Sequence, residues 1–318
     1  MRTVGTVLIR WAAAAVISIL AAGGIATAQE PHVPAGGYSE LSVPSSMGPV
    51  KVQVQWAKHG GTAALYVLDG MHATNDVNEW TRQTDIMAQF ADDDITLVFP
   101  VGGEASFYTD WLRPSAFNLQ RVTYRWETFL TTELPDYLAR YGVSATRDGV
   151  IGPSMGGSAA LTLAALHPGQ FAFAGSLSGF PDLSGPGMPE AVCTSMLAVG
   201  GYEVDAMWGP PLGPVWRQHD PSELAEQLRG TSLFVSAGSG VPGPEDKWDS
   251  AIGVAGSLTG FGLELIARGD SLRFQQRMQS LGIDATWDFP ATGVHEWGNW
   301  QTRIAEARPQ ILGALTGG

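Results

Sequence analysis

Residues 152 to 156 read Gly-Pro-Ser-Met-Gly and place one serine, Ser154, between two glycines. An apolar run ends at Gly152, and an alanine- and leucine-rich segment follows at 155–166. A strand, a sharp turn and a helix in this order form a nucleophile elbow, which projects the serine hydroxyl from the carboxyl end of the strand. The pattern predicts that Ser154 is a nucleophile. The alternative is a serine that only caps an alanine-rich helix.

A serine nucleophile requires a base, and in elbow enzymes the histidine follows the serine along the chain. Three histidines do so here. His167 precedes a proline at the end of the predicted helix and is interpreted as a C-terminal cap, and His219, before Asp220-Pro221, as a structural residue. His295 follows the last predicted strand in a loop rich in glycine and tryptophan. We therefore expect His295 to be the base.

The acid that orients this histidine is expected after the run that ends at Gly238. Four carboxylates are eligible on this ground: Glu245, Asp246, Asp249 and Glu264. The last of them lies in a segment with a helical pattern, FGLELIARGDSLRF. The residues alone do not choose among the four.

Acyl transfer through a serine also needs N–H groups aimed at the oxyanion. Met155 follows the nucleophile at the start of the predicted helix, so its N–H is one candidate donor. The loop Asp69-Gly70-Met71-His72 is the candidate for the second, and its alternative is an ordinary strand-to-helix turn. In such a site Ser154 attacks an ester carbonyl, His295 accepts and later returns the proton, and the acid fixes the imidazole tautomer.

These side chains must be positioned by a sheet whose strands end at one edge. The run at 50–56 alternates apolar and polar residues, which predicts an exposed edge strand, whereas later runs are nearly all apolar, as strands covered on both faces are. Those later runs lie at 63–68, 95–100, 149–152, 171–178, 232–238 and 285–290, and helical patterns lie between them at 125–141, 155–166 and 220–228. The alternation predicts an α/β fold, a doubly wound and mostly parallel sheet with helices on both faces.

The N-terminus predicts a removable export signal over residues 1–28. Arg2 and Arg10 give it a positive start, 11–22 is apolar, and Ala26-Thr27-Ala28 offers small residues for cleavage. The alternative, an uncleaved membrane anchor, is disfavoured because the apolar run is shorter than the roughly 20 residues of a spanning helix. No repeat or low-complexity linker divides the rest, so residues 29–318 are expected to form a single domain.

Charge and cysteine content exclude several classes of partner. The net charge is −13 and becomes −15 once the two arginines of the signal are removed. An acidic body without a basic run argues against nucleic acid and anionic membrane surfaces, and no later segment is long and apolar enough to span a membrane. Cys193 is the single cysteine, which excludes an intramolecular disulfide, and it is expected to be a small buried apolar residue.

Several segments resemble the secreted mycolyltransferases of the antigen 85 group, esterases and acyltransferases with the α/β-hydrolase fold. They are YVLDGMHATNDVNEW, PVGGEASFYTDW, YRWETFLTTELPDYL, IGPSMGGSAALTLAALHPGQFAFAGSLSG, MWGPP and FPATGVHEWGNW, and the resemblance runs from about Gly37 to the C-terminus. It implies that Ser154 and His295 are nucleophile and base and that Glu264 is the acid. The backbone oxyanion positions match Met71 and Met155.

The same resemblance implies a sugar site. Asp69 and Trp297 match residues that line it, and His72 stands where the family usually has an arginine that contacts the sugar. Histidine offers at most two donors and arginine five, so this departure weakens the expected sugar contacts. The cysteine pair of some members is also absent, with LRPSAFNLQRVTY in its place.

The function that the resemblance implies is an exported serine acyltransferase, moving mycolic-type acyl chains between trehalose esters and cell-wall sugar acceptors. Its partners would be a glycolipid or acyl-ester substrate and a sugar acceptor, and it would need no metal or other cofactor. Two alternatives stay open: an exported carboxylesterase of broad specificity, and an envelope binding or adhesion protein with a vestigial site. The segment 188–216 is interpreted as core in preference to a lid or tunnel wall for lipid, its apolar residues being Met188, Met196, Leu197 and Met207.

Overall fold

The computed structural model describes residues 32–246 and 251–317, with the backbone alone for 251–259. The predicted export signal and the candidate acid Asp249 lie outside the described residues. Eight strands pair within them: β1 (Tyr38–Val43), β2 (Val50–Gln55), β3 (Ala64–Val67), β4 (Thr96–Pro100), β5 (Asp148–Pro153), β6 (Phe171–Leu177), β7 (Ser232–Ser236) and β8 (Thr286–Asp288). They form one sheet in the order β1-β2-β4-β3-β5-β6-β7-β8.

The sheet is mostly parallel, as predicted. Strands β3 to β8 run parallel to one another, and only β1 with β2 and β2 with β4 pair antiparallel. The prediction that 50–56 is an edge strand is wrong, because β1 pairs with β2 along its whole length, from Tyr38 opposite Gln55 to Val43 opposite Val50. Alternation of apolar and polar residues indicates only that one face of the strand is more buried than the other. An edge strand and the strand beside it can both have this property.

Helices cover both faces of the sheet. They are α1 (Glu79–Gln83), α2 (Ile86–Gln89), α3 (Trp126–Thr128), α4 (Leu134–Leu138), α5 (Met155–Leu166), α6 (Met188–Gly200), α7 (Val204–Trp208), α8 (Pro214–Arg217), α9 (Ala251–Ser280) and α10 (Trp297–Thr316). A π-helical turn (Phe129–Glu133) joins α3 to α4, and a 3₁₀ turn (Ala139–Tyr141) follows α4, so the predicted helix over 125–141 is one helical segment of changing pitch.

The central strands are buried on both faces because alternate residues enter two different cores. Along β3, Tyr66 belongs to the core that includes α5, whereas Leu65 and Val67 belong to the core that includes α10. Period-two side-chain direction gives this division directly. It explains why these runs are apolar at nearly every position.

The helix predicted over 220–228 is not formed as an α-helix. Asp220 does cap the segment, since its Oδ1 accepts from the Ser222 N–H at 2.9 Å. Its Oδ2 accepts from the Ser184 N–H at 2.7 Å, and only Ala225–Leu228 is helical, as a 3₁₀ turn. The carboxylate thus ties two loops together. Among the residues described here, no helix combines the length and the apolar character needed to cross a bilayer.

Candidate active site

Ser154 lies at the junction of β5 and α5, in a strained backbone conformation. Its φ and ψ are 54° and −124°, in a region that residues with a side chain rarely adopt. The Ser154 N–H donates to the Leu177 carbonyl at 2.8 Å, which fixes the turn against β6. A Cβ on Gly152 would come within 2.7 Å of the Gly156 carbonyl carbon, so the doubled-back chain leaves no room for one. This is the geometry of a nucleophile elbow.

His295 and Glu264 form a buried pair. Nδ1 of His295 lies 2.9 Å from Oε2 of Glu264, whose side chain is 0% exposed. The carboxylate is an acceptor, so Nδ1 carries the ring proton and Nε2 is left with a lone pair. The structure therefore brings together the histidine and one of the four eligible acids. Glu245 and Asp246 lie in the turn region before α9 and make no described contact with His295.

The second oxygen of Glu264 is held by groups that the sequence did not indicate. Oε1 accepts from the Ser178 hydroxyl at 2.8 Å and from the Gly238 N–H. Ser178 in turn accepts from the indole N–H of Trp300 at 3.0 Å, so its single proton must point to Glu264. The carboxylate thus has three donors, which satisfies a buried charge.

His295 also contacts the cleft that contains Ser154. Its ring centroid lies 5.0 Å from that of Trp300 and 6.0 Å from that of Phe180, and both aromatic residues line the cleft together with Ser154. Neither Nε2 of His295 nor Oγ of Ser154 makes a hydrogen bond to a described residue. Both atoms are therefore available for a partner.

Two backbone N–H groups are candidates for an oxyanion site. Met155 is the first residue of α5, where a helix leaves its N–H without an internal partner. Met71 lies in the loop after β3, which lines the same cleft, and its N–H has no acceptor among the described residues. The loop is fixed by the Met71 carbonyl, which accepts from the Ala105 N–H at 3.0 Å.

Asp69 fixes the loop after β3 through hydrogen bonds to backbone N–H groups. Its Oδ2 accepts from the Glu79 N–H at 2.8 Å and its Oδ1 from the Gly70 N–H at 3.2 Å. Burial raises the pKa of Asp69 to about 7, against the effect of these two N–H donors, which lower it. The site thus holds a carboxyl group that titrates near neutrality directly before the oxyanion loop.

The cleft has a volume of about 550 Å³ and two chemically different parts. One part is polar and includes Asp69, His72 and Arg82. The other is apolar and is formed by α6 and α9, which contribute Val199 and Leu263 among others. A molecule with a polar and an aliphatic end matches this division.

All three residues of the expected sugar site line this cleft. The His72 side chain is exposed, and Asp69 is buried. Trp297 begins α10, and its ring is fixed edge-on by Trp80, with centroids 5.4 Å apart, and by Trp300 at 5.0 Å. A tryptophan held in this way offers one face to a ligand at low entropic cost.

The other two histidines lie elsewhere, around Glu127. His167 caps α5, and its Nε2 lies 2.9 Å from Glu127, while His219 lies 3.8 Å from the same carboxylate and stacks on Trp208. Hydrogen bonds to His167 and then His219 lower the pKa of Glu127 to about 2. Neither histidine lines the cleft, which agrees with the structural role expected of them.

The segment 188–216 is both core and cleft wall. Met188, Met196 and Met207 are buried as expected, but Leu197 is 56% exposed. On another side of α6, Ser195, Ala198 and Val199 line the cleft. Cys193 is half-buried, where a fully buried residue was expected, because it lies on this partly exposed helix. No group of three or more His, Cys, Asp or Glu side chains in the described chain is arranged to hold a metal ion.

Comparison with known proteins agrees with this geometry. Residues 45–311 match the family model described as "Putative esterase". The chain is 39% identical over 305 residues to the diacylglycerol acyltransferase/mycolyltransferase Ag85B of Mycobacterium intracellulare, covering 93% of this chain and 90% of the relative. It is 37% identical over 321 residues to Ag85B of Mycobacterium leprae, covering 99% and 96%.

Among solved structures, MPT51 (FbpC1) of Mycobacterium tuberculosis superposes with a TM-score of 0.76 at 33% identity, covering 88% of this chain and all of that one. The expected α/β-hydrolase fold is therefore confirmed. At these identities and coverages the relationship extends over nearly the whole chain. The protein belongs to the esterase family and, within it, to the antigen 85 mycolyltransferase group.

Proposed function

We propose that the protein is an exported serine acyltransferase that moves mycolic-type acyl chains between trehalose esters and cell-wall sugar acceptors. The observation that supports it most directly is the buried Glu264–His295 pair beside a cleft that also contains the strained Ser154. Its curated relatives are named as acyltransferases and mycolyltransferases. We assign Ser154 as nucleophile, His295 as base and Glu264 as the orienting acid.

In the first half-reaction Ser154 Oγ attacks the ester carbonyl carbon of the donor while Nε2 of His295 takes the hydroxyl proton. Glu264 stabilises the imidazolium through Nδ1–H, and the N–H groups of Met71 and Met155 hold the oxyanion. The carbon–oxygen bond to the leaving sugar then breaks, and His295 returns the proton to that oxygen. The products are an acyl ester on Ser154 and the free sugar alcohol. This step needs a hydrogen bond between Ser154 and His295, and in enzymes such bonds often form only when the substrate is bound.

In the second half-reaction a sugar hydroxyl replaces the departed alcohol. His295 removes its proton, the hydroxyl oxygen attacks the acyl carbon, and Ser154 leaves as its proton is restored. No redox change occurs, and the residues named supply every proton transfer. The polar part of the cleft suits the sugar, and the apolar part formed by α6 and α9 suits the start of the acyl chain.

Export is part of the proposal. We assign residues 1–28 as a cleaved signal and 29–318 as the single catalytic domain, acting outside the cytoplasmic membrane on envelope lipids. The charge pattern at the N-terminus and the small residues before position 29 support this assignment. N-terminal sequencing of protein secreted by the native host is the direct measurement. A mature chain that begins at Met1 would contradict it.

The test of the chemistry uses purified protein and a trehalose monoester of a long-chain acid. The wild type is expected to form trehalose diester and free trehalose in equal amounts, and Ser154→Ala is expected to form neither. A fluorophosphonate probe should label the wild type but not the variant. Labelling without diester formation would indicate an esterase. The absence of both labelling and diester would indicate a binding protein.

An exported carboxylesterase is the second candidate. It is favoured by the exposed His72, which has no hydrogen-bonding partner among the described residues and offers few donors to a sugar. Water would then compete as the acceptor. Added trehalose separates the two functions: it should divert a soluble ester's acyl group from free acid to sugar ester, and unchanged product ratios would favour the esterase.

A further inference from the structure

Arg82 lies at the polar part of the cleft and is held there by its own helix. Its Nε donates to Oε2 of Glu79 at 3.1 Å, and its Nη2 donates to Oε1 of the same residue. Glu79 is buried, and it also accepts from Gln83 Nε2 at 3.0 Å. The carboxylate is thus fixed from two sides, and the guanidinium with it.

One edge of the guanidinium remains available. Its Nη1 lies 3.7 Å from Oδ2 of the exposed Asp76, an ion pair that is too long for a hydrogen bond. Arg82 is 48% exposed and both it and Glu79 line the cleft. Guanidinium has five N–H donors in a rigid plane, of which two are used on Glu79. The remaining donors can bind the oxygen atoms of a ligand in the cleft.

Arg82 is also connected to the oxyanion loop. The Glu79 N–H donates to Oδ2 of Asp69 at 2.8 Å, and Asp69 immediately precedes Gly70 and Met71. The positive charge of Arg82 lowers the pKa of Asp69, whereas the charge of Glu79 raises it. Arg82 and Ser154 line the same cleft, so a ligand bound by Arg82 shares that cleft with the proposed nucleophile.

We propose that Arg82 is a specificity-determining residue that recognises the sugar acceptor, by donating from its free edge to neighbouring hydroxyl oxygens. The inference rests on the proposed function. Two adjacent hydroxyls fit a planar pair of N–H donors, and the carboxylates of Asp69 and Glu79, which line the same cleft, can accept from a sugar O–H. Trp297 offers a ring face on the same cleft. Water and simple alcohols each bring a single oxygen and so make fewer hydrogen bonds to this group of donors and acceptors, which lets Arg82 favour sugars over them.

The rival explanation is an ion pair that only stabilises α1. The chain contains a matched control for it, because Arg113 is also 48% exposed and pairs with Glu203, whose side chain is 11% exposed against 9% for Glu79, but Arg113 lies outside the cleft lining. In both pairs a half-exposed arginine neutralises a carboxylate that is largely buried, so removing either arginine leaves a poorly solvated charge. Arg82→Gln and Arg113→Gln should therefore lose similar amounts of stability, and only Arg82→Gln should change how the acceptor is used.

The experiment supplies a soluble acyl ester as donor and either trehalose or 1-butanol as acceptor. For Arg82→Gln we expect the KM for trehalose to rise about tenfold, and the preference for trehalose over butanol to fall about tenfold, while Arg113→Gln keeps both within twofold of the wild type. Arg82→Lys should be intermediate, because one ammonium group cannot hold Glu79 and two hydroxyls together. An unchanged preference in Arg82→Gln, or an equal loss in Arg113→Gln, would overturn the proposal.

A binding measurement separates this inference from the proposed function. Trehalose binding is measured by calorimetry on Ser154→Ala and on Ser154→Ala/Arg82→Gln, neither of which can react. Weaker binding in the double variant supports the role of Arg82 even if the wild type transfers no acyl group, an outcome that would refute only the transferase function. Equal binding in the two variants refutes the role of Arg82 whatever the activity.

Discussion

Replacing Glu264 by glutamine tests the acid assignment because the surroundings dictate how the new amide must lie. Oε1 receives two donors, the Ser178 hydroxyl and the Gly238 N–H. The Gly238 N–H belongs to the backbone and can only donate, so an NH₂ group cannot take the place of Oε1. The introduced glutamine must therefore place its carbonyl oxygen at this position and its NH₂ group toward His295.

That orientation reverses the imidazole. An NH₂ group 2.9 Å from Nδ1 requires Nδ1 to accept, which moves the ring proton to Nε2. A protonated Nε2 cannot take the proton of Ser154. The imidazolium also loses the buried carboxylate that stabilises it. The same change in a serine–histidine–aspartate site lowers kcat about 10⁴-fold, which is about 5.5 kcal/mol of barrier. We expect a loss of about 10³- to 10⁴-fold for Glu264→Gln.

The assay is hydrolysis of a soluble p-nitrophenyl ester together with the rate of fluorophosphonate labelling. Folding is followed by urea unfolding, where we expect a loss of about 1–3 kcal/mol for the exchanged charge-assisted hydrogen bonds. Glu245→Gln is the matched control, since Glu245 was an eligible acid without a described contact to His295. A folded Glu264→Gln variant that keeps more than a tenth of the wild-type rate would refute the reasoning, and an inactive Glu245→Gln would move the acid to that residue.

Two further predictions concern the elbow and the Glu127 cluster. A Cβ on Gly156 would overlap the Asp69 carbonyl oxygen, so Gly156→Ala should lower the free energy of unfolding by about 2–3 kcal/mol and the activity at least tenfold. Gly169 has open space around it, so Gly169→Ala should change neither quantity by much. Urea unfolding measures the stability of both variants, and ester hydrolysis measures their activity. Because the pKa of Glu127 falls from 4.5 to about 2 on folding, its ionisation stabilises the protein above pH 4.5, and this stabilisation is lost as the pH falls toward 2. Glu127→Gln should therefore be about 2 kcal/mol less stable than the wild type at pH 7. In urea titrations this difference in stability should shrink below pH 4.5. A difference that does not depend on pH would contradict this account.

The elbow at Ser154 could be predicted from sequence because its signal is local. Glycines at 152 and 156, a preceding apolar strand and a following helix lie within about 20 residues, and the structure has each of them in the expected place. The α/β class followed from the same kind of local evidence, since buried parallel strands are apolar at nearly every position. The edge strand was misassigned because alternation does not report which neighbour a strand has.

The carboxylate that pairs with His295 could not be chosen from residue patterns, because the choice depends on how α9 is rotated about its axis. Glu264 and His295 are 31 residues apart, and a helical pattern does not specify which turn faces a loop from another part of the chain. Ser178 and Trp300 carry no local signal at all. They became visible as functional neighbours only when β6 and α10 met beside Glu264. No sequence pattern indicated Arg82 either, because its helix comes to the cleft through tertiary contacts, those of Glu79 with Asp69 and of Trp80 with Trp297.

The strain at Ser154 and the position of the oxyanion loop have a common cause. Gly156 packs directly on the Asp69 carbonyl, so the turn that forces a positive φ on Ser154 also sets the distance between α5 and the loop at 69–72. A backbone conformation of this kind costs on the order of 1–3 kcal/mol and persists only where surrounding contacts over-determine it. Here those contacts hold the first turn of α5 against the loop that contains Met71. A side chain at position 156 would force the two apart, and we therefore expect it to displace Ser154 and the two proposed oxyanion donors together.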